Sequence, residues 1–261
     1  MSEVWIVVDE ADLASPTATQ GLNQMVSALK HAITDSASTT ISPVITEPQS
    51  PIAVQVVTTK QLISPEFSSG ARSNAVLCPL TLNLPPSWAF AEAALYRACQ
   101  DVAGLRQRVA QTPPFKTGSG HFWLPVVLTA KGPLYAEVIA RSPSRSTLEP
   151  STDLFTQSYT QPLHLSDALR QPLYQLAHWL LKSLAAPPAV YLMQFGIQES
   201  DRPTGLATGQ SICFDRLFPF PAVPSIASLG VQVPDLFTCH WRCITMQPIL
   251  ELMIRSSVTT D

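Results

Sequence analysis

PDLFTCHWRC, Pro234 to Cys243, places two cysteines, a histidine and an arginine within ten residues, a grouping able to bind metal or do thiol chemistry. In a helix Cys239 and Cys243 share one face, with His240 beside them. That supplies three ligands where a closed zinc site takes four, and the only other cysteine near in sequence is Cys213. The expectation is therefore no metal, and a helix opened by Pro234 or Asp235 with Leu236, Cys239, Cys243 and Ile244 as its buried stripe. In PPFKTGSGH, Lys116 sits in a Gly/Ser loop whose backbone N–H groups could cradle a phosphate. The loop lacks the P-loop spacing, and no G-x-G-x-x-G occurs. GSGH is not a nucleophile elbow, and Ser119 and His121 are too close in sequence to build a triad unaided. His178 and Trp179 read as surface and core of a leucine-faced helix. The acids of the second half, Glu137, Asp167, Glu199, Asp201, Asp215 and Asp235, stand alone, without a pair for general acid–base work or for magnesium.

The elements that must position these residues follow from periodicity. Val4 to Val8 reads as a buried strand. Leu22, Met25, Val26, Leu29 and Ile33 give a helix ending near Asp35, followed by a Ser/Thr/Pro loop to Ser50. Val54–Thr59 and Ala75–Leu82 read as strands, Pro79 arguing against a long one. Ser87 is placed to cap one helix carrying Phe90, Leu95, Cys99, Leu105 and Val109. Phe122–Arg141 reads as a hairpin turning at Lys131-Gly132. Residues 142–160 read as loop, and Leu165–Leu184 as a helix capped by Ser166. Ala189–Ile197 and SICFDRLFPF read as strands joined by a polar loop through Gln210. Helices set against hairpins predict an α+β fold with an antiparallel sheet.

Composition narrows the function. The 261-residue chain is 46% hydrophobic, enough for a sizeable core, and carries a net charge of -3 with only 13% charged residues. Its scattered Lys and Arg give no footprint for nucleic acid. The 24 prolines cluster between elements and punctuate the chain. Five irregularly spaced cysteines fit reduced thiols in the cytoplasm. MSEVWIVVDEAD does not read as a signal peptide, and no run reaches the ~20 apolar residues of a membrane span.

The segments VVLTAKGPLYAEVIARS, LSDALRQPLYQLAHWLLKSL, AVYLMQFG and SICFDRLFPFPAVPSIASLGVQVPDLFTCHWRCITMQPI follow one another as hairpin, helix, strand, strand and helix. From Phe122 to Leu250 this order resembles the C-terminal half of an ATP-grasp domain. It looks most like the carboxyaminoimidazole ribonucleotide synthetases of purine biosynthesis, relatives of the carboxylate-amine ligases. YLMQFG stands where that family has V-E-x-F. Phe237, His240 and Arg242 match the F, H and R of S-Q-F-x-x-H-L-R-A, and Pro219 and Pro221 match the prolines around the family's arginine.

The resemblance implies acids on the two strands, with a neighbouring Asn, holding the magnesium ions that bridge ATP phosphates. Here Gln194 stands at the first of these former metal positions and Arg216 at the second, after Asp215 in place of Asn. The family's H-N-S-G-H is Ala222, Val223, Pro224, Ser225 and Ile226, which has little to offer a phosphate. A guanidinium about 4 Å from a divalent ion repels it by roughly 8 kcal/mol at an effective dielectric of 20. Arg216 would instead neutralise a phosphate or pair with Asp215. The resemblance further implies that Arg216 points into the former metal cleft while the helix bearing His240 and Arg242 closes one side, giving a positive concavity suited to an anion. The Lys116 loop stands where a shortened nucleotide-covering segment would be.

The fold expected is α+β, an ATP-grasp-like antiparallel sheet with packed helices over residues 116–254, preceded by a smaller α/β region over 1–115. The function expected is that of a non-catalytic, degenerate ATP-grasp-like protein, a binding, regulatory or assembly module with a protein partner. Lys116, Arg216, His240 and Arg242 are its nucleotide- or anion-binding candidates. No catalytic residue, metal or resident cofactor is expected, ATP being at most a weak ligand, and neither nucleic acid nor membrane is a partner. Two alternatives stand beside this: an active ATP-dependent carboxylate-amine ligase with displaced metal ligands, and an unrelated α+β interaction protein. FPFPAVPSIASLGV, Phe218 to Val231, would cover the former site, present a partner surface, or be a buried loop.

Overall fold

A computed structural model describes residues 3–39, 52–64, 75–142, 154–199 and 210–255. Asp201 and much of the three expected Ser/Thr/Pro or polar loops lie outside the described residues. Val4–Val8 is apolar throughout because it forms β1 (Glu3–Val8), the central strand of a parallel sheet ordered β2-β1-β3 and buried on both faces. Its neighbours are β2 (Ala53–Thr58) and β3 (Ala75–Pro79), which stops at the proline as expected. Helix α1 (Pro16–Thr39) lies between β1 and β2 in the chain, and its Leu22, Met25, Leu29 and Ile33 pack with Val4, Ile6 and Val8.

The helix expected after Ser87 is two helices, α2 (Ala93–Gln100) and α3 (Val102–Ala110). Asp101 breaks it: its backbone leaves helical geometry at ψ 74°, and its carboxylate accepts the Gly104 N–H at 2.9 Å. A short acidic side chain that satisfies an orphan N–H makes a better cap than a helix interior residue.

The second sheet holds β4 (Lys116–Thr117), β5 (Phe122–Thr129), β6 (Gly132–Tyr135), β7 (Val138–Arg141), β8 (Tyr159–Leu163), β9 (Ala189–Glu199) and β10 (Gln210–Phe218). Its order is β4-β10-β9-β5-β7-β8, with β6 also on β5, and every pair but β4–β10 is antiparallel. The expected hairpin is present, but its return arm is split into β6 and β7. Pro125 explains the split: its carbonyl accepts from the Ala136 N–H at 3.1 Å, and proline has no N–H to return the bond.

Alternation along β9 sends Val190 and Leu192 to one face of the sheet and Tyr191, Met193 and Phe195 to the other. The first face packs on α5 (Leu236–Ile244), α1 and β1, so one core joins both sheets. The second packs on α2, α3 and α4 (Asp167–Ser183), whose Leu169, Leu173, Leu176 and Leu180 are buried. A last pair, β11 (Gln232–Val233) and β12 (Met253–Ile254), is antiparallel. Phe218 to Ser225 is buried, so the proline-rich segment after β10 is a core loop. No helix among the described residues is long and apolar enough to cross a membrane.

Candidate functional site

Gln194 on β9 and Arg216 on β10 are direct cross-strand partners, so the two positions singled out by the resemblance are adjacent. The register slips between Phe214 and Arg216, which makes Asp215 the extra residue of a β-bulge. A bulge re-aims side chains, and this one turns a lone acid inside the apolar strand ICFDRLF into a buried anchor.

Both polar side chains act on one residue. Asp215 is 4% exposed, and its Oδ2 accepts the Gly120 N–H at 2.8 Å. Gln194 is 8% exposed, and its Nε2 donates to the Gly120 carbonyl at 2.7 Å. The other carboxylate oxygen of Asp215 takes a hydrogen bond from the Arg106 guanidinium of α3, whose Nε also donates to the Asp215 backbone carbonyl at 3.0 Å. Arg216, with its side chain 42% exposed, brings its Nε to 3.5 Å from the same oxygen, the pairing expected of it.

Gly120 is held this way because the chain must cross the sheet. β4 lies beside β10 and β5 lies beyond β9, so residues 118–121 pass over both intervening strands. The passage is tight. A Cβ on Gly120 would lie 2.2 Å from the Phe195 carbonyl carbon and oxygen, and one on Gly196 would lie 2.3 Å from the Ser119 oxygen. Only glycine lets two backbones approach so closely. The loop read from sequence as a phosphate cradle is therefore laid on β9 and β10. Lys116, at the edge beside Cys213, is exposed and donates to Ser211 Oγ at 3.3 Å.

Gln194 and Arg216 thus meet beside Asp215, while Lys116 reaches Ser211, whose partner Gln198 is four positions from Gln194 along β9, and His240 lies as far the other way. His240 is 3% exposed, and its Nδ1 accepts the Val190 N–H at 3.2 Å. Val190 is four positions from Gln194 along β9, roughly 13 Å at strand spacing. Burial lowers the His240 pKa to about 4, so the ring is neutral at pH 7. Arg242 follows two positions later on α5, about 200° round the helix, and is half-buried. Asp235 caps α5 by accepting from the Phe237 and Thr238 N–H groups at 2.9 and 3.0 Å. Cys239 and Cys243 are buried on this helix, and burial pushes the Cys243 thiol up to about 12 and the Cys239 thiol higher still. Among the described residues no three His, Cys, Asp or Glu side chains are grouped to hold a metal.

Sequence reasoning missed Arg106 and the two anchors on Gly120. One signal was present: a single acid within an apolar strand must find donors when buried.

No family model matches the chain, and no curated protein matches it in sequence. Solved structures do match in fold. The N5-carboxyaminoimidazole ribonucleotide synthetase from Thermotoga maritima superposes with a TM-score of 0.58 at 9% identity, over 97% of this chain and 78% of that one. The synthetase of the same description from Thermus thermophilus gives 0.58 at 11%, over 95% and 79%. The L-amino acid ligase from Bacillus licheniformis gives 0.54 at 9%, over 94% and 74%. The likeness extends through residues 1–115, where the sequence shows no resemblance, and at these identities it is a likeness of fold: the chain has the ATP-grasp-like fold.

Proposed function

We propose that this protein is a non-catalytic, degenerate ATP-grasp-like protein, acting as a binding, regulatory or assembly module. The observation that carries the reading is the double anchoring of Gly120. Magnesium takes hard oxygen ligands, chiefly carboxylates and phosphates. Among the described residues the carboxylate beside the former metal positions, Asp215, is already committed to the Gly120 N–H and to Arg106, and Gln194 is committed to the Gly120 carbonyl. The donor set therefore does not fit magnesium, because an ion there would displace the loop and meet two guanidinium groups. Arg106 and Arg216, two guanidinium groups on the one carboxylate of Asp215, leave this spot positive, so a nucleotide would be held there weakly, as an anion and without metal.

The module reading includes a protein partner, to be sought by its effect on stability. Five free, buried cysteines support residence in the reducing cytoplasm. The test is phosphate release from ATP with bicarbonate, amine and carboxylate acceptors, together with calorimetric ATP titration with and without magnesium. Turnover is expected at background, and any ATP affinity is expected to be unchanged by magnesium. Turnover abolished by a chelator would overturn the reading in favour of a ligase with displaced metal ligands.

A further inference from the structure

Away from that spot, a cavity of about 430 Å³ lies where β1 and β3, the segment leading into α2, the start of β9 and the end of α5 meet. Trp5, Trp88, Phe90 and Tyr96 give it aromatic walls. Trp88 and Phe90 stand with ring centroids 5.1 Å apart, and Phe90 meets Tyr96 edge-on at 5.5 Å. The Tyr96 hydroxyl is within hydrogen-bond reach of the Pro79 and Pro219 carbonyls, at 3.2 and 3.4 Å, which fixes that ring. These walls are preformed, and volume and lining fall in the range of small-molecule sites.

Two polar groups on the lining have unused hydrogen-bonding capacity. Because His240 Nδ1 accepts the Val190 N–H, the neutral ring carries its proton on Nε2, and no described residue accepts from it. His240 is buried and lines the cavity, so that N–H has the cavity as its outlet. Glu92, half-buried at the start of α2, makes no side-chain hydrogen bond among the described residues.

We propose that this cavity binds a planar, uncharged heterocyclic amide or imide, packed against the aromatic wall, whose carbonyl accepts from His240 Nε2 and whose N–H donates to Glu92. A flat ring suits the walls. An adjacent acceptor and donor suit the two polar groups, and a neutral ligand avoids placing a second charge beside Glu92. The site is separate from the Gly120 anchor and does not rest on the function proposed above.

Phthalimide is the probe, titrated into the full chain and followed by tryptophan fluorescence and histidine-ring NMR. Saturable binding is expected, with a downfield shift of the His240 Nε2 proton. N-methylphthalimide, which lacks the donor, should bind about tenfold more weakly, and naphthalene, which lacks both groups, more weakly still. Glu92→Leu should weaken phthalimide about tenfold and leave N-methylphthalimide unchanged. Leu77→Trp, which fills the cavity from β3, should abolish binding of all three, and Glu92→Leu carries the test if that variant does not fold. An absence of saturable phthalimide binding, an unmoved His240 ring at saturation, or equal affinity for the three probes would each overturn the proposal.

Discussion

Replacing Asp215 by asparagine keeps the size of the side chain and removes its charge and one acceptor. In the parent, one carboxylate oxygen accepts from the Gly120 N–H and the other from Arg106. An amide has a single acceptor oxygen, so its NH₂ group must face one of those two donors. The Gly120 bond is buried and has an ionised acceptor, a class that contributes about 1.5–3 kcal/mol. The Arg106 pair contributes less, about 0–1 kcal/mol, because that side chain is 35% exposed and water replaces the lost carboxylate. Asp215→Asn is therefore expected to destabilise by up to about 4 kcal/mol and by at least about 1 kcal/mol, a large part of the roughly 5–15 kcal/mol typical of a folded chain. At this length, with about 2 °C per kcal/mol, the fall in Tm is about 2–8 °C. Urea unfolding should show a lower midpoint with an unchanged slope. In a double-mutant cycle with Gln194→Leu, which removes the donor to the Gly120 carbonyl, the losses should be less than additive, because a loop already lifted has nothing left for the second anchor to hold. A variant within about 0.5 kcal/mol of the parent would refute the anchoring. Strict additivity would show that the two side chains do not act on one loop.

Gly120→Ala should cost at least as much as Asp215→Asn, because its methyl would meet backbone atoms of Phe195 that cannot rotate away; thermal unfolding of the two variants side by side checks the ranking. His240 has a folded pKa of about 4 against an unfolded value of 6.5, so between those pH values the unfolded chain binds more protons. Stability should therefore fall as pH drops from 6.5 to 4, by about 3 kcal/mol from this group. His240→Gln, which can still accept the Val190 N–H but does not titrate, should flatten that part of the urea midpoint–pH curve, and an unaltered curve would count against the buried neutral ring. Asp235→Ala should destabilise by about 1–2 kcal/mol through loss of the α5 cap, and Asp235→Asn by much less; denaturant midpoints that fail to separate the two would contradict the capping role.

Much of the fold was legible in the residues because it is set by local pattern. The apolar run Val4–Val8 can only be a buried strand, the leucines from Leu169 to Leu180 can only face one way on a helix, and Asp235 is a cap by its chemistry and position. The two strands bearing Gln194 and Arg216 were legible, and the resemblance set those residues together, but the register that makes them direct partners came from the sheet. Two local details ran against the pattern: Asp101 broke a helix whose apolar spacing continued through it, and the single missing N–H of Pro125 split the return arm of a hairpin. Other features depended on partners far away in the chain. His240 turned inward because the start of β9, 50 residues earlier, offered it a backbone N–H, so its separation from Arg216 could not be read from spacing along α5. The decisive contacts join Gly120 to Gln194 and Asp215, 74 and 95 residues later. Spacing along the chain says nothing about such bonds, because they exist only once sheet order carries the 118–121 loop across β9 and β10 and a bulge aims one carboxylate at it.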